Sequence, residues 1–445
     1  MSADVGSSKG SESGAGVTQS FIRKVALASM FGSFLEFFDF LIAATASVAV
    51  WPAVFFSGLP ATLSFGLSIA TYGVTFLTRP LGAFIFGHLG DRLGRKRMLA
   101  WTLTLMGLGS FGIAVMPSTA TVGLIAPIML VILRLIQGIG LGGEVGGATG
   151  WILEVASKSK WRGLWTGIPV SSIPAASAVG TMAFVVMEQL TGPSYMVWGW
   201  RIPFVVGAIV AIVGVIIRSR LKESIMFTNL KDRGQVARRP AVDVLKELPQ
   251  KSIMGAALWT MCAGVQGTVF NVFLIAYLLA LKFPASFILI AMTITFAIGW
   301  VIDLAGVAIS DIIGRRPVIV IADVLTLAIL PFFFPLITTT NPLIIIIAAT
   351  IMFGVAPSGL GSATTQVLIT ESFPTKYRYS GTGLSVAFGG FVVGLVTVFG
   401  IPSIILLSNG VLNAWPWIAG ITAILVVPGL ISTLILKETR GTPLT

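Results

Sequence analysis

Gly87-His88-Leu89-Gly90-Asp91-Arg92-Leu93-Gly94-Arg95-Lys96-Arg97 is a dense run of glycine and charge set between two long apolar segments. A short basic connection between apolar stretches of that length reads as a turn between two membrane helices, held on the cytoplasmic side by its positive charge. A weaker copy, Ser310-Asp311-Ile312-Ile313-Gly314-Arg315-Arg316, stands half a chain later. The duplication implies a chain built from two related halves.

The rest of the sequence agrees with that reading. Of 445 residues, 55% are hydrophobic and 10% charged, and the mean hydropathy is +0.95. That leaves too little polar surface to cover a soluble globule. Apolar runs long enough to cross a bilayer fall near 25–51, 61–87, 98–116, 121–155, 163–187, 201–218, 252–281, 285–309, 317–338, 343–371, 380–406 and 414–436. The expected fold is therefore an all-α membrane protein of twelve transmembrane helices. Of the 29 basic residues, all but Arg79, Arg134, Arg201 and Lys282 fall in the two tails or the even-numbered connections. This bias places both termini in the cytoplasm of a protein spanning the cell membrane. It also removes nucleic acid as a partner, because the net charge of +12 sits in short loops rather than on one water-facing surface. One cysteine, Cys262, and one histidine, His88, leave no disulfide, histidine cluster or cysteine metal site. No metal or cofactor is expected, and the partners are the lipid bilayer and a small molecule, with the chain a monomer.

Residues 1–20 are rich in Ser and Gly and read as a disordered cytoplasmic tail. The halves are then 21–218 and 252–436, joined by a polar cytoplasmic linker over 219–251 and followed by a tail over 437–445. Two further echoes support the repeat. Glu154 precedes Arg162 as Glu371 precedes Arg378, and Leu221-Lys222-Glu223-Ser224 returns as Leu436-Lys437-Glu438-Thr439. Parallel six-helix repeats are a transporter architecture, with the substrate site between the repeats near the bilayer midplane.

Phe34-Leu35-Glu36-Phe37-Phe38-Asp39-Phe40, Arg79-Pro80-Leu81-Gly82, Arg134-Leu135-Ile136-Gln137-Gly138, Gly142-Gly143-Glu144, Trp198-Gly199-Trp200-Arg201-Ile202-Pro203-Phe204 and Phe373-Pro374 carry a family resemblance. With the opening motif, they make the chain similar to the major facilitator superfamily over nearly its whole length, and within it to the metabolite:proton symporters. The resemblance implies two pseudo-symmetric six-helix halves that rock about a midplane site. It also implies that Asp91 meets the start of the eleventh helix near Tyr379 and Ser380, with Arg95 and Arg162 pairing with Glu154. Sugar porters share the glutamates at the ends of the halves.

A charge in hydrocarbon costs about 2.5 to 3.5 kcal/mol on insertion scales, so each needs a partner or a cavity. At 1.5 Å per residue, Glu36 and Asp39 lie roughly 16 and 21 Å in from the cytoplasm, and Arg134 roughly 18 Å from the other face. All three share the middle of a core about 30 Å thick, with Tyr72 and Gln137. Asp39 and Glu36 are the candidate proton carriers. Arg134 is the candidate for a substrate anion, assisted by Tyr72, Gln137, Gln266 and Asn271. Arg79, Glu144, Asp91, Arg92, Glu154, Arg162, Asp311 and Arg315 form a second layer of gating and structural charges near the cytoplasmic end. Asp303 and Asp323 are placed near that end too. Glycines at 138, 142, 146 and 150 read as close helix packing. No nucleophile, base and acid meet at one depth, so the chain is not an enzyme. The expected function is proton-coupled symport of a small organic anion, a carboxylate metabolite. The alternatives are a proton-coupled sugar transporter or a proton antiporter exporting amphiphilic compounds.

Overall fold

The computed structural model describes residues 19–93, 95–220, 240–339, 341–356 and 358–444, without the side chains of 21, 28, 35, 36, 91–96, 145, 218, 220 and 265–268. The roles given to Glu36, Gln266, Asp91, Arg92 and Arg95, and nearly all of the N-terminal tail, therefore lie outside the described residues.

The described chain is a bundle of helices. In chain order the spans are α1 (Gln19–Ala49), α2 (Ala61–Leu77 running into Arg79–Leu93), α3 (Arg95–Val115), α4 (Ile125–Gly142 and Val145–Val155), α5 (Arg162–Thr191) and α6 (Ile202–Arg220). A short helix, Pro240–Glu247, belongs to the linker. The second half has α7 (Pro249–Gly264, a π-helical stretch Val265–Phe273, then Leu274–Ala280), α8 (Ala285–Ile313), α9 (Arg315–Ile337) and α10 (Pro342–Val355 and Ser362–Ser372). It closes with α11 (Arg378–Leu395, Val396–Gly400, Ile401–Leu407) and α12 (Val411–Ile435).

Among the described residues, eleven helices are long and apolar enough to cross a membrane. The expected span over 343–371 is the exception. Its first helix ends at Val355 and its second begins at Ser362. α4, its counterpart in the first half, is broken at Gly143 and Glu144. α7 begins at Pro249, slightly before the 252 expected.

The glycine rows explain how closely the helices approach. A Cβ on Gly138 or Gly142 would collide with the backbone oxygen of Thr75 or Arg79 on α2, and one on Gly146 with Tyr379 on α11. α4 thus packs backbone to backbone with α2 inside its half and with α11 across the interface. Where apolar solvent removes the hydrophobic driving force between helices, such small residues supply the contact. The halves meet through α2 against α11 and α5 against α8, with α1 against the π-helical stretch of α7.

The start of α1 and the segment after α12 lie near the charged turns: Val25 and Ala26 pack against Ile152, and Arg162 bonds Thr439 and Thr442.

Candidate functional site

Inside the first half, α1, α3, α4 and α6 enclose a polar knot. Asp39 is 2% exposed. Its Oδ1 accepts a hydrogen bond from the Ser110 hydroxyl and its Oδ2 one from Gln137 Nε2 at 3.3 Å. Gln137 Nε2 also donates to Ser110 Oγ at 2.8 Å, while its Oε1 accepts from Arg134 Nη1 at 2.8 Å. Glycines make the room. A Cβ on Gly207 would lie 2.6 Å from Asp39 Oδ1, and one on Gly109 would strike the Gln137 side chain.

Arg134 is fully buried. Its guanidinium carbon stands 5.4, 5.9 and 5.6 Å from the ring centres of Phe40, Trp51 and Tyr72, within the range of cation–π attraction. Nη2 reaches the Tyr72 carbonyl at 3.5 Å. Gln137 therefore links cation to carboxylate. The sequence alone gave no sign of Ser110, Gly109 or Gly207 in this knot.

A narrow cavity of about 40 Å³ lies between the halves. Tyr72, Phe76 and Arg79 of α2 face Trp259, Cys262 and Asn271 of α7 across it, and Phe40 and Ser362 add to the wall. Asp39, Arg134 and Gln137 do not line it. Tyr72 stands between: it lines the cavity and meets Arg134 through both its carbonyl and its ring. Tyr72 Oη and Trp259 Nε1 have no hydrogen-bond partner within the described protein. Arg79 is the one charged side chain among the described lining residues. It lies 4.9 and 4.2 Å from the Phe40 and Phe76 ring centres. Arg79, read from the sequence as a structural charge, thus lines the cavity, whereas Arg134 lies one layer behind it.

The basic side is closed by ion pairs that cross from one half to the other. Arg162 Nε meets Glu371 Oε1 at 2.7 Å, and Arg378 Nη1 meets Glu154 Oε1 at 3.4 Å. This corrects the pairing of Arg162 with Glu154: each end-of-half glutamate takes the arginine of the opposite half. Arg315 joins the cluster, 2.7 Å from Asp311 and 3.4 Å from Glu371. Asp311 accepts from the backbone N–H of Gly163 at 2.9 Å and Leu164 at 2.8 Å, where the free amides and dipole of α5 favour a carboxylate. The Tyr379 hydroxyl donates to the Gly143 carbonyl at 2.5 Å, sealing the break in α4 against α11. Glu144 is buried and accepts from Thr102 Oγ1 at 2.9 Å.

The chain end is built into this clamp. Arg162 donates to the carbonyls of Thr439 and Thr442, and Thr439 Oγ1 to Glu371. Burial pushes the Glu438 carboxyl up, but backbone N–H groups of Arg440, Arg315, Arg316 and Thr439 hold it, on balance, below the ordinary 4.5. Its contribution is accordingly full above the ordinary value and is lost only as pH falls through the lowered one.

The model for the family described as "Sugar (and other) transporter" matches residues 25–253. The inner membrane metabolite transport protein YhjE of Escherichia coli (strain K12) is 34% identical over 371 residues, covering 81% of this chain and 83% of that protein. The chain belongs to the major facilitator superfamily of transporters. The shikimate transporter of the same organism is 31% identical, over 85% of this chain and 88% of its own. The proton:xylose symporter XylE superposes with a TM-score of 0.75 over 96% of this chain and 98% of that one. At 17% identity that likeness shows the fold alone. This transporter is thus a multi-pass membrane protein and not an enzyme, and its substrate is a small molecule handled within the membrane.

Proposed function

We propose that this transporter is a symporter that carries a small organic anion, a carboxylate metabolite, together with a proton. The supporting observation is the cavity wall. Arg79, Tyr72, Trp259 and Asn271 all line it, with no carboxylate among the described lining residues. An arginine fork matches a carboxylate with two parallel hydrogen bonds. Arg79 then meets the anion in the cavity, and Arg134 supplies positive charge from behind Tyr72. The shikimate carried by one relative is such a carboxylate.

Asp39 is the proton carrier in this reading, with Glu36 beside it in sequence. A carboxylate whose surroundings differ between two conformations binds a proton in one and releases it in the other. Gln137 and Tyr72 join Asp39 and Arg134 to the cavity wall, so an anion arriving at the wall changes the field at the carboxylate. The basic side is the cytoplasm, and the inter-half ion pairs close the cavity toward it. Trp259 and Asn271 would also suit a polyol, which keeps a neutral sugar as the second reading.

Arg79→Gln separates the two readings. Losing a charge-assisted hydrogen bond costs about 1.5–3 kcal/mol, or roughly 10- to 150-fold in affinity. Binding to the purified protein is expected to weaken by that factor for shikimate, a carboxylate polyol, and to stay unchanged for xylose. Equal affinity for shikimate in Arg79→Gln and the parent would remove the anion from Arg79.

A further inference from the structure

The second half holds two aspartates for which the scheme above has no use. Asp303 on α8 and Asp323 on α9 have no exposed surface. Counted from the ends of their helices at Ile313 and Arg315, they lie roughly 15 and 12 Å in from the basic side at 1.5 Å per residue. The sequence reading put both near the cytoplasmic end, but they are enclosed by the bundle.

Asp303 has a structural task. Its Oδ1 accepts from the Ala363 N–H at 3.0 Å, where α10 restarts after its break. Asp323 has none: neither of its oxygens has a hydrogen-bond partner among the described residues. Buried polar atoms are nearly always paired, and an ionisable group inside a membrane helix is kept for a function or lost.

No described cation reaches Asp323. α9 packs against α8, α10 and α12. α12 and the upper part of α10 carry no titratable residue, α8 carries Asp303 and Asp311, and the lower part of α10 carries Glu371. Asp311 and Glu371 are engaged with Arg315 at the rim, and Arg316 donates to the carbonyls of Thr433 and Leu434. A lone buried carboxylate charge would be very costly. A metal ion needs several ligands, and no group of three His, Cys, Asp or Glu that could hold one assembles among the described residues. A proton needs one oxygen.

Cys262 of α7 lies beside Thr365 and within electrostatic reach of both Asp323 and Asp303, and the same residue lines the central cavity. We propose that Asp323 is a second proton-binding site, in the half opposite Asp39, loaded and unloaded through the cavity past Cys262. It extends the proton-coupled reading above but is tested without any substrate.

The test is infrared difference spectroscopy of the full-length protein in liposomes, stepped between acid and alkaline pH. The Asp39→Asn variant is expected to keep a protonated-carboxyl C=O band that vanishes on the alkaline step. Adding Asp323→Asn is expected to abolish that titrating component, and Asp323→Glu, which keeps the acid, to restore it at a shifted frequency. A titrating band left unchanged by adding Asp323→Asn, or an Asp323 band that is the same at every pH, overturns the assignment. Failure of Asp39 as carrier shows separately, as an Asp39→Asn spectrum identical to that of the parent.

Discussion

Asp39→Asn is expected to abolish proton-driven accumulation of substrate while leaving exchange of internal for external substrate near the parent rate. One pH unit is worth about 1.4 kcal/mol, so a one-unit gradient coupled to one proton sustains about tenfold accumulation. That ratio falls to one when the carrier cannot release its proton. Exchange survives because it needs no net proton movement. The substitution keeps the shape of the side chain and the bond accepted from Ser110, and loses only the one that Oδ2 accepts from Gln137 Nε2. Parallel measurement in Glu36→Gln separates the carrier from its neighbour, and accumulation that persists in both variants would remove the first helix from coupling.

The other large effect is expected at the clamp on the basic side. Glu371 is buried and faces Arg162 at 2.7 Å and Arg315 at 3.4 Å, and it accepts from Thr439 as well. Removing one partner of a buried pair costs about 3–5 kcal/mol, because the other charge stays behind without compensation. The Arg162 contact exists only while the halves are closed on this side. Glu371→Gln should therefore shift the population toward the form open on the basic side by more than roughly a hundredfold. Spin labels at Lys158 and Lys376, both exposed and on opposite halves, placed on a Cys262→Ser background, would read the change as a longer distance. A distribution unchanged from the parent would mean that packing through Gly146 and Tyr379, rather than charge, holds the clamp.

Much of this was legible from residue order. Membrane spans follow from length and hydropathy alone, and the doubled Asp-x-x-Gly-Arg turn points to two halves before any contact is known. The glycine rows on α4 announced close packing because few other causes place small residues at every helical turn. Pairing was harder. Arg162 stands nearer Glu154 in sequence, yet it bonds Glu371, because partners across a pseudo-two-fold interface are chosen by symmetry and not by separation. The depth of Arg134 was readable from helical rise, but its direction was not: rise fixes height in the membrane, whereas facing depends on how Phe40, Trp51 and Tyr72 pack round it. Arg79 was set aside for the complementary reason, since height alone did not show that it lines the cavity. Ser110 left no trace because a single serine after Gly109 in an apolar helix has no period or motif.

The most direct measurement uses purified protein in liposomes loaded with a pH-sensitive dye, with the membrane potential clamped and compounds added outside one at a time. The account predicts that small carboxylates from a panel including shikimate acidify the lumen as they enter, that xylose does not, and that Asp39→Asn abolishes the signal while exchange continues. Lumenal acidification by xylose alone, or carboxylate entry without any proton movement, would contradict it.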